Sequence, residues 1–245
     1  MNVRARSFRF LLSAAALTAL TVCGAYAAEC PWVPEPNLPA MHTPLNIDKV
    51  KDALRAYHKG DYPKDMAAVY AVAQSYVESR GGQVKNPAVV LDIDETTLSN
   101  WPNLDADDFG FIQDGRCDNL PHGPCGFNAW ILKATAIAFP PALAFFDAAK
   151  SKHIAVIFLT ARHESQRRAT VRNLKRAGYE GWSKLILKRD KDDSTAGAYK
   201  AAARAKLVKE GKYTIIANIG DQLSDLAGGS AECTFKLPNP LYFIP

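Results

Sequence analysis

Acidic residues follow two apolar stretches of the chain, and a threonine follows a third. Asp92 and Asp94 end the stretch AVVLDID, Thr160 ends AVIFLT, and Asp221 and Asp225 follow IIANIG. A single Asp-x-Asp pair is weak evidence for catalysis, because acidic residues commonly cap the next helix. Three such groups in order, with a lysine between the second and the third, favour a catalytic site.

The elements that must position these residues are short apolar runs that alternate with amphipathic stretches from residue 87 onward. Continuously apolar strands separated by helices indicate a parallel sheet covered on both faces, so we predict a doubly wound α/β fold. Ligands bind such sheets at the carboxyl ends of the strands, where all three polar groups fall. The predicted strands span 88–93, 154–159, 184–188 and 213–219, and the predicted helices span 140–151, 163–177 and 195–210.

Two segments do not follow this alternation. Before residue 87, apolar residues at helical spacing predict two helices that stop at Gly60 and Gly81. Between about 101 and 135, Gly, Pro, Asn and Asp residues separate the first strand from the helix that should follow it. We interpret 101–135 as a cap insertion over the carboxyl end of that strand, where it would shape specificity.

Residues 1–28 have the features of a secretory signal peptide. Three arginines precede an apolar run from Phe10 to Val22, and small residues follow it as far as Ala28. The run is too short to span a membrane, so we expect a soluble periplasmic or secreted protein. A lipid anchor on Cys23 is the weaker alternative, because Val22 is a poor residue directly before a lipidated cysteine.

Removal of the leader leaves residues 29–245, about 217 residues, which fits one domain with a sizeable core. A Pro-rich extended arm is expected over 29–44. The leader holds three of the 30 Lys and Arg and none of the 25 Asp and Glu, so the net charge falls from +5 to +2. This small excess does not imply a nucleic-acid partner.

Four cysteines remain after cleavage, an even number in a compartment that permits disulfides. They allow three pairings. The short spacing and the Pro and Gly residues between Cys117 and Cys125 favour a local loop, which would leave Cys30 to pair with Cys233. A zinc site would require short Cys-x-x-Cys spacings, and the sequence has none.

Four motifs resemble the haloacid dehalogenase (HAD) superfamily, namely VVLDIDETTLSN, FLTAR, AYKAAAR and GDQLSDL. Within it the chain resembles the secreted acid phosphatases of the class B type, which include plant acid phosphatases, vegetative storage proteins and bacterial relatives. The closing KLPNPLYFIP is similar to the C-terminus of that family. The likeness extends over nearly the whole mature chain and implies a HAD-like, Rossmann-like fold.

The resemblance implies a role for each matching residue. Asp92 would attack phosphorus and carry an aspartyl-phosphate, and Asp94 would act as general acid and base. Thr160 would bind a phosphoryl oxygen through its hydroxyl and its backbone amide at the start of a helix. Lys200 would supply positive charge to the phosphate and the nucleophile.

A magnesium site is the second implication of the resemblance. Asp92, the backbone carbonyl of Asp94, and Asp221 would hold Mg²⁺, with Asp225 bound directly or through water. Ligands that are all oxygen suit magnesium far better than zinc.

Two assignments stay open in the sequence. Lys188 and Lys191 are rivals to Lys200, because spacing cannot prove which lysine reaches the site. Arg162 is either a ligand of the phosphate or an ion-pair residue that supports the loop.

The function that the resemblance implies is magnesium-dependent hydrolysis of a small-molecule phosphate monoester. A catalytically silent phosphate-binding or storage protein of the same fold is the first alternative, since some storage proteins in this family lack the nucleophile. A phosphotransferase that uses the same site is the second. The sequence indicates neither the natural substrate nor the oligomeric state.

Overall fold

The computed structural model describes residues 30–31 and 45–244. The predicted signal peptide over 1–28 lies outside the described residues, as do most of the predicted arm over 29–44 and the terminal Pro245. None of the described helices is both long enough and apolar enough to cross a membrane.

A five-stranded parallel sheet forms the centre of the described chain. Its strands lie in the order β5-β4-β1-β6-β7, and a separate antiparallel pair consists of β2 and β3. Helices flank the sheet, so the predicted α/β class is confirmed. The strands are β1 Pro87–Leu91, β2 Leu98–Ser99, β3 Ile137–Ala138, β4 Ala155–His163, β5 Lys184–Lys188, β6 Thr214–Gly220 and β7 Cys233–Lys236.

Eight α-helices and one short 3-10 turn, Glu164–Gln166, complete the described elements. The two helices expected before residue 87 are present, the second of them ending at Gly81. The helices are α1 Ile47–Lys59, α2 Tyr62–Gly81, α3 Trp101–Ala106, α4 Phe127–Lys133, α5 Pro140–Ser151, α6 Arg167–Arg176, α7 Ala196–Lys209 and α8 Leu223–Leu226.

The central strand β1 is buried on both faces because successive side chains point to opposite sides of a strand. Val89 and Leu91 belong to the larger apolar core, which also contains residues of α2 and α5. Ala88 and Val90 belong to a smaller core that Leu207 of α7 completes. This double burial explains why the sequence of β1 is continuously apolar.

Two neighbouring predicted boundaries were wrong. The strand predicted for 154–159 runs as far as His163, and α6 begins at Arg167 rather than at residue 163. Pairing with β5 carries the extended backbone beyond the apolar run, with Thr160 opposite Leu187 and His163 opposite Lys188. Because the end of this strand is polar, its sequence pattern did not reveal it.

The predicted insertion, about 101–135, leaves and rejoins the main fold close to the ladder between β2 and β3, where Leu98 pairs with Ala138. It contains α3, an irregular loop and α4. Ion pairs from Arg55 of α1 to Asp105 and Asp108, at 2.7 and 3.0 Å, tie it to the N-terminal helices. Its role as a cap stays a prediction.

Both disulfides favoured by the sequence are present. Cys117 pairs with Cys125 within the insertion, and Cys30 pairs with Cys233 at the start of β7. The two bridges close loops of very different length, with sequence separations of 8 and 203 residues. The longer bridge joins a residue near the start of the described chain to the strand at one edge of the sheet.

Replacing Cys30 and Cys233 together by Ala should destabilise the protein more than replacing Cys117 and Cys125 together. Loop-closure entropy predicts losses of about 5 and about 2.5 kcal/mol respectively, since the restriction on the unfolded chain grows with loop length. Urea unfolding of the two double variants measures the difference. Equal losses would contradict the entropic account. Free thiols at all four of these cysteines, in peptide maps of protein purified from an oxidising compartment, would contradict the bridges themselves.

Candidate active site

The predicted site residues converge where β4, β1 and β6 end side by side. Asp92 directly follows β1 and Asp221 directly follows β6, and the two strands are hydrogen-bonded neighbours. The backbone N–H of Asp92 donates to the carbonyl of Ile219 at 3.0 Å, which extends this pairing into the site. Thr160 of β4 is fully buried on the other side of β1.

Lys200 lies at the centre of the site, although it comes from helix α7. Its side chain is buried, and its Nζ contacts Asp92 Oδ1 and lies 2.6 Å from Asp225 Oδ1. Burial lowers the pKa of Lys200, but the charges of Asp92 and Asp225 outweigh burial and raise it overall. Lys200 is therefore a fixed cation between two carboxylates.

The rival lysines do not make these contacts. Lys188 Nζ donates to the backbone carbonyl of Ser194, and Lys191 is exposed to solvent. Lys200 is the lysine that the described structure brings to Asp92.

Three carboxylates crowd around this lysine. One oxygen from each of Asp92, Asp221 and Asp225 lies within 4.8 Å of the others, and all three side chains are buried. Burial raises the pKa of Asp92 well above its usual range in spite of the opposing charge of Lys200. Burial, and then the charge of Asp225, raise the pKa of Asp221 to about 6. One lysine faces three carboxylates, so Lys200 alone cannot neutralise the cluster when all three are ionised.

A divalent cation would neutralise the remaining charge. The donor set consists of carboxylate oxygens, which hard cations such as Mg²⁺ prefer. The three residues brought together match three of the four predicted ligands. The side chain of Asp94, the fourth residue, points to a different partner, and the ligand role of its backbone carbonyl stays a prediction.

Asp94 forms a two-point ion pair with Arg162. Arg162 Nη2 lies 2.6 Å from Asp94 Oδ1, and Nε lies 3.1 Å from Oδ2. Burial raises the pKa of Asp94. The charge and hydrogen bonds of Arg162, together with a hydrogen bond from Asn100, lower this pKa by more than burial raises it, so the net shift is downward. Of the two roles left open for Arg162, the structure shows the ion pair.

Thr160 does not lie at a helix N-terminus, so that expectation was wrong. It belongs to β4, whose pairing continues to His163, and α6 begins only at Arg167. The Thr160 hydroxyl accepts a hydrogen bond from the backbone N–H of Arg162 at 3.1 Å. Any preference for an anion at Thr160 therefore comes from its own hydroxyl and the neighbouring cations rather than from a helix dipole.

Asn100 is a site residue that the sequence reasoning missed. It is fully buried, and its Nδ2 donates to Asp94 Oδ1 at 2.8 Å and to Glu95 Oε2 at 2.9 Å. Its Oδ1 accepts the indole N–H of Trp130, on α4 of the insertion, at 2.8 Å. Asn100 thus links the insertion directly to Asp94. Its place at the end of the motif VVLDIDETTLSN was the available signal.

Glu95 adds a further buried carboxyl group beside Asp94. Burial, and then the charge of Asp94, raise its pKa to about 8, against the lowering effect of the hydrogen bonds from Asn100. Tyr242, close to the C-terminus, donates its hydroxyl to Glu95 Oε2 at 3.0 Å. The C-terminal segment therefore reaches the site, which no residue spacing indicated.

Comparison with known proteins agrees with this architecture. The family model described as HAD superfamily, subfamily IIIB (acid phosphatase), matches residues 35–245. The stem 28 kDa glycoprotein of Glycine max is 38% identical over 198 residues, which cover 79% of this chain and 74% of that protein. Acid phosphatase 1 of Solanum lycopersicum is 34% identical, with 80% and 75% covered. Vegetative storage protein 1 of Arabidopsis thaliana is 32% identical, with 82% and 74% covered.

A solved structure supports the fold independently. The class C acid phosphatase from Bacillus anthracis superposes with a TM-score of 0.63 at 23% identity, covering 80% of this chain and 86% of that one. At this identity the likeness concerns the fold alone. Since the family model spans most of the sequence and the curated relatives exceed 30% identity, the chain belongs to subfamily IIIB of the HAD superfamily, the acid phosphatases.

Proposed function

We propose that the protein hydrolyses phosphate monoesters in a magnesium-dependent reaction, through an aspartyl-phosphate formed on Asp92. Membership of the acid phosphatases accounts for the hydrolysis of phosphate monoesters. The main support for the magnesium dependence and for the aspartyl-phosphate is the contact of buried Lys200 with Asp92, inside a cluster of three carboxylates.

Asp92 has the surroundings of a nucleophile. Its carboxylate oxygen would form a bond to phosphorus while the bond from phosphorus to the leaving alcohol breaks, which divides one difficult step into two easier ones. Water then attacks the same phosphorus, breaks the bond to Asp92 and releases inorganic phosphate. The charge of Lys200 favours the carboxylate form of Asp92 against the effect of burial, and it supplies a positive charge beside the dianionic phosphate.

Asp92, Asp221 and Asp225 would hold the cation, together with the backbone carbonyl of Asp94. When bound, Mg²⁺ would neutralise the phosphate and orient it for in-line attack. The Thr160 hydroxyl would donate to a phosphoryl oxygen.

Asp94 is the candidate for proton transfer. Its lowered pKa makes it a carboxylate while it is paired with Arg162, which suits a base that takes a proton from the attacking water. To protonate the leaving alcohol it must first carry a proton, so we propose that the ion pair with Arg162 loosens when phosphate enters. A dianionic phosphate offers Arg162 a competing partner of the kind that a planar guanidinium binds well.

The substrate we propose is a small-molecule monoester, and the protein acts in the periplasm or outside the cell. Two disulfides in the described residues support an oxidising compartment. We also propose a signal peptide over 1–28 and a single phosphatase domain over 29–245, which contains the cap insertion.

A silent storage protein is the second candidate, because two similar proteins bear the name vegetative storage protein. The presence of Asp92, in contact with Lys200, favours the enzyme over this alternative. A phosphotransferase would use the same residues, with an alcohol in place of the attacking water. Measuring transfer product in the presence of competing alcohols distinguishes the two enzymes.

Asp92→Asn should reduce phosphate release to background while the protein stays folded. An amide cannot form the acyl-phosphate, and it keeps the size of the side chain. Release of inorganic phosphate from nitrophenyl phosphate measures activity, and circular dichroism reports the fold. Asp147→Asn removes the same charge from an exposed position of α5, away from the site, and should keep wild-type activity. Near-wild-type turnover by Asp92→Asn would refute the mechanism.

Chelation should abolish activity, and added Mg²⁺ should restore it, because the cluster holds more negative charge than Lys200 neutralises. Asp221→Asn should raise the Mg²⁺ concentration needed for half-maximal activity, since one ligand is weakened. A panel of phosphate monoesters assayed with and without Mg²⁺ measures both effects. If zinc alone rescued the chelated enzyme, the ligand assignment would be wrong.

Asp94→Asn tests the proton donor separately from the nucleophile. The variant should lose about 10²- to 10⁴-fold in kcat/KM on an alkyl phosphate such as a sugar phosphate. The loss on nitrophenyl phosphate should be far smaller, because nitrophenolate leaves without a proton. We compare kcat/KM because it reports only the steps up to the first irreversible one. An equal loss on both substrates would exclude Asp94 as the acid.

A further inference from the structure

The sequence ends in a motif, KLPNPLYFIP, to which the proposed reaction assigns no role. Its described residues, 237–244, follow β7 as an irregular segment, here named the C-terminal strap. The strap begins where the N–H of Leu237 donates to the carbonyl of Gly220 at 2.9 Å, one residue before Asp221. It therefore runs beside the turn that carries Asp221 and the short helix α8 that carries Asp225.

Two side-chain amides converge on one oxygen of Asp221. Asn239 of the strap donates its Nδ2 to Asp221 Oδ2 at 2.6 Å, and Gln222 donates its Nε2 to the same oxygen at 2.7 Å. The other oxygen, Oδ1, accepts the Thr96 hydroxyl at 3.1 Å. Since a carboxylate oxygen has about two acceptor positions, Oδ2 is saturated and Oδ1 keeps a free position for a cation.

Backbone N–H groups of the strap fix the orientation of both amides. The Oδ1 of Asn239 accepts the N–H of Leu241 at 2.8 Å, and the Oε1 of Gln222 accepts the N–H of Ile244 at 3.0 Å. With their oxygens engaged in this way, both amides present their NH₂ groups to Asp221. The strap therefore determines which oxygen of Asp221 is occupied and which one is available.

We propose that the C-terminal strap positions the Asp221 carboxylate for the cation, with Asn239 and Gln222 as the positioning residues. The inference rests on the proposed magnesium site and adds to it the function of the C-terminal motif. Groups that hydrogen-bond a metal ligand commonly change metal affinity by about 10- to 100-fold when they are removed, and we expect an effect of that size here.

The test is a Mg²⁺ titration of the full chain by isothermal calorimetry, which needs no substrate turnover. Asn239→Ser replaces the amide oxygen by a hydroxyl that can still accept the N–H of Leu241 within the turn, but serine is too short to donate to Asp221. Gln222→Met removes the second amide from a different part of the chain at nearly constant length. Each variant should weaken Mg²⁺ binding by about 10- to 100-fold.

Phe243→Ala serves as the matched control, because it changes a strap side chain that is 73% exposed. It should keep a Kd within about twofold of the wild type, which separates an effect on Asp221 from general loosening of the strap. The melting temperature without Mg²⁺ checks that every variant is folded.

Wild-type Mg²⁺ binding by both Asn239→Ser and Gln222→Met would overturn the inference and leave the proposed function standing. Equal weakening in Phe243→Ala would also overturn it, since the strap would then act only through stability. If the wild-type protein bound no Mg²⁺ at all, the magnesium site of the proposed function would fail, and this inference with it.

Discussion

The contact between Lys200 and the buried carboxylates is the constraint on which the rest of the site depends. Three aspartates in a small buried volume repel one another, and each has lost most of its hydration. Removing one partner of such a buried cluster is costly, because it leaves charge uncompensated. Lys200 brings one positive charge to three carboxylates, so it stabilises the cluster and leaves a remainder of negative charge. That remainder is the physical reason to expect a divalent cation.

The parallel sheet concentrates this charge at one edge. Neighbouring strands β1 and β6 end beside each other, so residues separated by more than a hundred positions meet without any long loop. Helix α7, which packs on the face of the sheet formed by Ala88 and Val90, brings Lys200 to the same edge. Rigid elements thus supply the charged groups, and less regular segments orient them. Asn100 hydrogen-bonds to Asp94 and is itself held by Trp130 of the insertion. The C-terminal strap hydrogen-bonds to Asp221 and Glu95.

The two halves of the site differ in their charge balance. Asp94 is compensated by Arg162 and has a lowered pKa. Asp92, Asp221 and Asp225 are under-compensated because one lysine faces all three, and burial raises the pKa of Asp92 and of Asp221. Carboxylates that share a site but differ in surroundings can take different roles. In the proposed reaction the under-compensated side takes up cation and phosphate, and the paired side handles the proton once Arg162 has a competing partner.

The amino-acid sequence by itself determined the α/β class and the approximate positions of four of the five sheet strands and of five helices. It also made candidates of Asp92, Asp94, Thr160, Lys200, Asp221 and Asp225 and favoured both disulfide pairings. The fold class and these elements depend on local patterns such as continuous apolar runs, helical spacing and stop residues, whereas the choice of Lys200 depended on the resemblance of AYKAAAR to a family motif and the pairings on cysteine spacing. Only the tertiary structure decided that Lys200 rather than Lys188 meets Asp92, that Arg162 pairs with Asp94, and that β4 runs past Thr160. It alone also brought Asn100, Gln222, Asn239 and Tyr242 to the acidic residues. The reason is that a long-range hydrogen bond or ion pair depends on which segments the fold brings within about 3 Å, and no local periodicity records that proximity.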